Sequence, residues 1–358
     1  MEIAAHFVGY LASEHDQQAE RGTLVAAAFA GAGQITEAHR ILGLLTGYRK
    51  VAALYQLAGQ AKRLGNERSA AEWFTEAETA PVGTRDFEVQ EIRAARVESL
   101  ARLGRAQEAR EALGTIPSDA VRLETEGLIF EFDDPAIVEE RAREFAGRKV
   151  TSARLKGQAL LLAAGTLVNV GQREKALALT HDAIDALCQG ADGQSVPLLR
   201  RAVGLLAQLG DKKEATHWAA VCAGFAQRVD PKAHWKARDV RLSAEALRDA
   251  GETARADALL RQLPELTTSL SAMDYSRGGM AAAEGFLLAG NEKDFHAAAL
   301  HIVNHLRTHP HFRARAMAVL DVLATYVRAR RDIPEEVHTA FAATAESIEK
   351  DPHYLNPI

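Results

Sequence analysis

Five histidines crowd a short stretch of the chain, and their type and spacing could do chemistry. They are His296, His301, His305, His309 and His311. His301 and His305 are four residues apart, so on a helix both imidazoles share one face, a spacing that can hold Zn²⁺. The general-base glutamate of a HExxH site is missing, since Ile302 follows His301. A metal-dependent enzyme using the His296–His311 cluster is therefore one alternative, and a solvated or core-edge histidine face is the other.

Other catalytic signatures are missing from the sequence. It contains no phosphate-binding GxxxxGK[ST] loop, no GxGxxG after a strand, no CxxC pair and no nucleophile elbow. The two cysteines, Cys188 and Cys222, stand singly in helical patterns, which indicates free thiols in a reducing compartment. We therefore predict a protein that is not an enzyme, with no metal site and no cofactor.

Charge and composition restrict the partners that this chain can attract. Its net charge is −5 and its pI about 6.2, which gives no overall attraction to nucleic acid or membrane surfaces. Only 6% of the residues are aromatic, which disfavours RNA binding by base stacking, although an RNA-binding helical-repeat protein stays an alternative. The N-terminus lacks a basic, apolar leader and no stretch is apolar enough to span a membrane. We expect a cytoplasmic protein with no membrane partner.

A recurring motif reveals the elements that must position these side chains. In six places a helical pattern stops at a glycine, polar residues follow, and an alanine stands five places after the glycine. The glycines are Gly33, Gly65, Gly104, Gly171, Gly210 and Gly251, and Gly290 repeats the turn with Phe295 in place of the alanine. Seven residues before each glycine stands a small or β-branched residue, and a mostly large one stands four before it. Glycine can end a helix in the left-handed region, and alanine allows close approach of the next helix. The motif therefore predicts antiparallel helical hairpins.

The small–large–Gly–Ala order resembles that of tetratricopeptide (TPR-like) repeats. Most of the glycines are spaced by about 39 residues, against about 34 in that family. The tryptophan that often opens a family unit is also absent, so the resemblance is to a divergent member. It implies an all-α, right-handed solenoid of about nine antiparallel hairpins. We predict one solenoid domain over residues 1–350 and an extended tail over 351–358.

One turn of this series is hidden, because Gly104 and Gly171 are 67 residues apart. Glu131 to Pro135 is the natural candidate, with Asp134 as the helix cap and Pro135 at the first helical position. This part of the chain is also the most acidic. Eight carboxylates between Glu124 and Glu144 face only the arginines Arg122, Arg141 and Arg143.

The resemblance also implies where a partner would bind, since the first helix of each hairpin lines the concave groove of such solenoids. Reading the family's exposed positions onto the later hairpins gives Arg200, Arg238, Arg241, Arg248 and Arg277. Arginine suits bidentate capture of carboxylates or phosphates. The alternative is a solvated face that pairs internally, for instance Arg241 with Glu245. We predict a protein–protein interaction scaffold or adaptor that holds a peptide or helix with acidic groups in this groove. Homo-oligomer formation stays open.

Overall fold

The computed structural model describes residues 2–12, 15–81, 85–189, 196–228, 235–263 and 272–355. Within them, the side chains of residues 15–17, 272–277, 353 and 355 are outside the description. The described residues contain helices and no strand. This confirms the all-α class, which the hairpin motif and the family resemblance predicted.

The helices follow one another closely along the described chain. They are α1 (Glu2–Tyr10), α2 (His15–Gly31), α3 (Ile35–Leu42), α4 (Gly47–Arg63), α5 (Glu67–Thr79), α6 (Asp86–Arg102), α7 (Ala106–Leu113), α8 (Asp119–Ile129), a 3₁₀ turn (Phe130–Phe132), α9 (Val138–Gly147), α10 (Ala153–Asn169), α11 (Arg173–Gln189), α12 (Val196–Gln208), α13 (Lys212–Arg228), α14 (Lys236–Asp249), α15 (Thr253–Leu260), α16 (Ala272–Leu288), α17 (Glu292–Arg307), α18 (Phe312–Ala329), α19 (Glu335–Glu349) and α20 (Pro352–Leu355).

Each of the seven motif glycines ends a helix in the predicted way. Their φ angles all lie between 71° and 86°, in the left-handed region. The N–H of the next residue donates to the carbonyl oxygen five residues earlier, at 2.7–2.9 Å, as in Asn66 to Ala61 and Asp211 to Leu206. This hydrogen bond is the 6→1 bond of the Schellman motif, which satisfies a carbonyl that the helix end leaves unpaired. The predicted turn at each glycine is confirmed.

The small residues on either side of these turns lie in the core. The residue five places after each glycine, such as Ala176 or Ala215, is at most 1% exposed. The small residue seven places before each glycine, such as Ala164 or Val203, is fully buried. Two small side chains without solvent exposure on paired helices indicate a close approach of the helix backbones.

The hidden turn also exists, with a different helix start. The chain leaves the 3₁₀ turn at Asp133, whose backbone is extended, and α9 begins at Val138 rather than at Pro135. The Asp134 carboxylate accepts the N–H of Ala136 at 2.9 Å, so it closes a turn and does not cap the helix. A local hydrogen bond of this kind is a common alternative to capping for aspartate.

The described chain separates into two compact units. Unit 1 comprises Met1–Ser99 and Pro264–Ile358, and unit 2 comprises Leu100–Leu263. In unit 2, α10 packs on α11, and α12 packs on both α13 and α14. In unit 1, α2 packs on α3 and α4, and α16 packs on α17 and α18. The handedness, the number of hairpins and the superhelix stay predictions.

Unit 1 joins the two ends of the chain. The helices α1 and α2 both pack against α18, and α1 also contacts α19. The Tyr10 hydroxyl donates to Glu349 at 2.9 Å, and the Arg21 guanidinium lies 3.2 Å from the Asp321 carboxylate. A stack in which each hairpin contacts only its sequence neighbours does not account for these contacts.

The predicted extended tail differs from the observed structure, because residues 352–355 form the short helix α20. The Tyr354 ring lies edge-on to Tyr10 and Phe312, with centroids 5.2 and 5.6 Å away. Asp351, just before this helix, forms a buried ion pair with Arg315. These contacts hold the segment against unit 1, and residues 356–358 lie outside the described part.

Candidate interaction surface

The predicted arginine site falls on α12 and α14 of unit 2. Glu245 of α14 pairs with both Arg200 of α12 and Arg241 of α14, and its distance to Arg200 is 3.0 Å. Arg200 also lies 3.6 Å from Asp249. The structure therefore brings Arg200 and Arg241 together around one carboxylate. Arg277 lies on α16, and its side chain is outside the described residues.

The other two predicted arginines have different acidic partners. Arg238 lies 3.0 Å from the carboxylate of Asp239, its sequence neighbour, whose side chain is fully buried. Arg248 donates to Asp257 of α15 at 2.6 Å, so it links the two helices of its own hairpin. Internal pairing, which was the alternative interpretation, thus describes the contacts of all four arginines. Their part in binding a partner stays a prediction.

The acidic stretch around Asp133 is neutralised by basic residues that the sequence comparison did not count. Five of the eight carboxylates pair with a cation from another element. The pairs include Glu124 with Arg154, Glu126 with Arg148, Glu131 with Arg201, Asp133 with Arg110 and Glu139 with Lys175. The arginines close in sequence therefore supply only part of the neutralising charge, because other elements up to 70 residues away supply the rest.

The histidine stretch spreads over α17 and the turn after it. His296 Nδ1 lies 2.8 Å from the Tyr326 hydroxyl, while the rings of His301 and His305 are stacked with centroids 6.1 Å apart. Burial lowers the pKa of His309, so this imidazole favours its neutral form. Within the described residues, no three His, Cys, Asp or Glu side chains come together in a way that could hold a metal ion. The described residues therefore contain no assembled metal site for the alternative of a metal-dependent enzyme.

A buried polar group lies between α13 and α14. The Cys222 thiol is 3.4 Å from the Ser243 hydroxyl, and that hydroxyl donates to the Cys222 carbonyl oxygen at 3.1 Å. Burial raises the pKa of Cys222 to about 11, so the thiol is protonated and unreactive at neutral pH. Burial also raises the pKa of Asp239 on the same helix as Ser243. A buried, protonated thiol such as that of Cys222 favours a role in packing over one in catalysis.

Unit 1 contains a cavity of about 410 Å³ that the sequence did not predict. Its walls come from α2, α4 and α6, which are the first helices of three consecutive hairpins. Small side chains such as Ala27, Ala52 and Ala53 line it, with Arg49 and Glu91 3.4 Å apart at its polar side. Its volume lies in the range of about 300–1,000 Å³ typical of ligand pockets. Alanines on neighbouring first helices were the available signal, because small side chains leave room between helices.

A comparison with models of known protein families finds no match for this chain, and a comparison with curated proteins finds no similar one either. In the part of the chain that the structure describes, every helix is too short or too polar to cross a membrane.

Proposed function

We propose that this chain is a non-enzymatic protein–protein interaction scaffold that binds a peptide or helix of another protein. The binding region is the first-helix surface, which is taken in each unit separately: the exposed side of α2, α4 and α6 in unit 1, and that of α10, α12 and α14 in unit 2. The observation that carries the proposal is the 410 Å³ cavity, because only first helices form its walls. A preformed concavity reduces the ordering cost of binding an extended partner.

The packing of the first helices supports this proposal. In unit 1 α2 contacts α4, and in unit 2 α10 contacts α12 while α12 contacts α14. First helices therefore lie side by side within each unit, and their outward side chains form one face. A divergent TPR-like solenoid would have this arrangement, and we include that fold in the proposal. A cytoplasmic location belongs to it as well.

The chemistry of the surface differs between the units. In unit 1 the small side chains of the cavity suit an apolar side chain of the partner. In unit 2 the side chains of Arg200 and Arg238 are 37% and 46% exposed, so part of each can meet a carboxylate of the partner. An acidic peptide would exchange with, or add to, the carboxylates that now pair with these arginines.

Filling the cavity tests the proposal. Gln56 lines the cavity from an exposed position on α4, so Gln56→Trp fills the space without changing the core. The control is Thr75→Trp, which adds the same ring at an exposed position of α5. Proteins captured from the host by the parent should be lost with Gln56→Trp and kept with Thr75→Trp, as quantified by mass spectrometry.

A second variant tests the acidic preference separately. Reversing the charge at Arg238 and Arg241 should weaken capture of the same proteins by more than about a hundredfold, since a charged hydrogen bond contributes about 1.5–3 kcal/mol. Circular dichroism must show that the variant keeps its helix content. Unchanged capture by both the cavity variant and the charge-reversed variant would exclude the first-helix surface as the binding region.

A further inference from the structure

A second, smaller cavity lies in unit 2, and the predicted site arginines Arg200, Arg238, Arg241 and Arg248 do not line it. Its volume is about 140 Å³, well below the range of about 300–1,000 Å³ for ligand pockets, so it suits one small group. Three arginines line it from separate positions: Arg110 of α7, Arg141 of α9 and Arg148 just after α9. The rest of the wall has three apolar side chains and three carboxylates, which are Leu113, Ile129, Phe130, Glu126, Asp133 and Glu144.

Two of these guanidiniums share one carboxylate. Asp133, whose side chain is only 3% exposed, pairs with Arg110 and lies 3.4 Å from Arg141. Its Oδ1 atom also accepts the backbone N–H of Asp134 at 3.0 Å. One negative charge faces two positive ones, so this side of the cavity keeps an excess positive charge.

The third guanidinium is paired on one side only. Arg148 donates to Glu126 at 2.7 Å, whereas its other contact, Glu144, is 3.9 Å away and 72% exposed. An exposed ion pair at this distance contributes little, so Glu144 can turn into solvent at small cost. The five groups that then remain carry three positive and two negative charges.

The cavity wall also has more hydrogen-bond donors than acceptors. Each guanidinium offers five N–H groups and accepts none. Arg110 Nε is buried and makes no hydrogen bond to the described residues. A buried donor without an acceptor is unfavourable, because it has lost its hydrogen bonds to water. An oxyanion in the cavity would supply acceptor oxygens where donors converge.

We propose that this cavity binds a phosphate group, either as the free ion or as a phosphorylated side chain. A tetrahedral oxyanion has the size of the space and presents oxygens to all three guanidiniums. One guanidinium can donate two parallel N–H hydrogen bonds to a pair of such oxygens. Asp133 keeps Arg110 and Arg141 in place, while Glu144 is the carboxylate that the phosphate displaces.

Calorimetric titration with inorganic phosphate, in a phosphate-free chloride buffer, tests the proposal. Arg141→Gln should weaken binding by about tenfold or more, since it removes a charged donor. Glu144→Gln should strengthen binding, by up to about fivefold, because it removes a competing charge. Arg143→Gln is the matched control on the same helix, where Arg143 pairs with Asp182 and Glu139 and does not line the cavity.

Two probes separate the sources of the phosphate. If N-acetyl-phosphoserine-N-methylamide binds and its unphosphorylated form does not, the ligand is a phosphorylated side chain. If inorganic phosphate alone binds, the ligand is the free ion. The proposal fails if neither probe binds the parent, if Arg141→Gln binds like the parent, or if Arg143→Gln weakens binding as much as Arg141→Gln.

Discussion

At the scale of single residues, the polar groups that the helices bury have definite partners, and these partners determine their chemistry. Lys236 is 6% exposed and donates through Nζ to the backbone oxygens of Ala226 and Gln227, at 2.5 and 2.9 Å. The Lys236 ammonium group therefore caps the C-terminal end of α13. Asp239, one turn later, is fully buried beside Arg238. Burial therefore disfavours the charged form of the Asp239 carboxylate.

Asp239 should make the stability of the protein depend on pH. Burial raises its pKa above the usual value of about 3.9, and the nearby Arg238 charge opposes this only in part. The folded state thus holds the proton more tightly than the unfolded chain. The free energy of unfolding therefore falls as the pH rises from the usual aspartate pKa of about 3.9 through the higher pKa of the folded state. Asp239→Asn, which does not titrate, should be more stable than the parent at pH 7.

Denaturant unfolding at two pH values checks this prediction. The difference between Asp239→Asn and the parent should shrink at about pH 3, where the usual aspartate pKa leaves the group protonated in both states. An equal difference at both pH values would mean that the charge of Asp239 has no cost in the folded protein.

At the scale of elements, the hairpin turn and the crossing behind it work together. The left-handed glycine ends the first helix, and the alanine five residues later lets the second helix approach. This pairing occurs in both units, at Gly65 with Ala70 and at Gly171 with Ala176. The turn sets the direction of the chain, and the small side chain sets the distance between the helices.

The alanine at the crossing should not tolerate a larger side chain. Ala176 is fully buried, so Ala176→Leu should overpack the hairpin and lower the free energy of unfolding by about 1–3 kcal/mol. Ala178 is exposed on the same helix, and Ala178→Leu is the control. Thermal and denaturant melts should separate the two variants; equal melts would show that Ala176 is not at the crossing.

The last hairpin makes its turn without a glycine, and this offers a stabilising change. Arg330, at the end of α18, has φ 53°, the one left-handed non-glycine residue in the described chain. A side chain in this conformation costs about 1–2 kcal/mol, so Arg330→Gly should raise the free energy of unfolding by about 1 kcal/mol. The change removes only a hydrogen bond to the Gly31 carbonyl oxygen, which is long at 3.4 Å.

Arg331→Gly is the control for this change, because the Arg331 backbone is not left-handed and has no strain that glycine could relieve. It should leave stability unchanged or lower it. A destabilised Arg330→Gly variant would mean that the contact with Gly31 outweighs the backbone strain.

At the scale of the whole molecule, unit 1 is made from both ends of the sequence. The buried ion pair between Arg21 of α2 and Asp321 of α18 has side chains that are each 7% exposed. Around it, α1, α2, α18 and α19 pack together. The stability of this unit therefore depends on residues that are hundreds of positions apart.

Breaking this pair from one side should be costly. Asp321→Leu leaves the Arg21 guanidinium buried with the half-exposed Glu20 as its described partner, and should destabilise unit 1 by about 3–5 kcal/mol. Replacing both residues, as Arg21→Met with Asp321→Leu, should recover much of the loss. A double-mutant cycle measured by denaturant unfolding gives the coupling, and additive effects would show that the two charges do not interact.

The turns of this protein and the local pair of Arg241 with Glu245 were predictable from the sequence, whereas the pairing of charges between helices was not. A left-handed glycine is recognisable because its hydrogen bonds close within six residues, as at Gly210, and depend on no distant element. The degenerate turn at Asp133 was located, but its helix start was not, since aspartate can close a turn as well as cap a helix.

The partners of the charged residues are a tertiary property. Arg200 meets Glu245 only because α12 and α14 lie side by side, and Arg21 meets Asp321 only because the ends of the chain pack in unit 1. The two cavities have the same origin, since each is a space between helices of different hairpins. Local backbone chemistry therefore determined where the helices end, and long-range packing of their faces decided which side chains meet and where a ligand could fit.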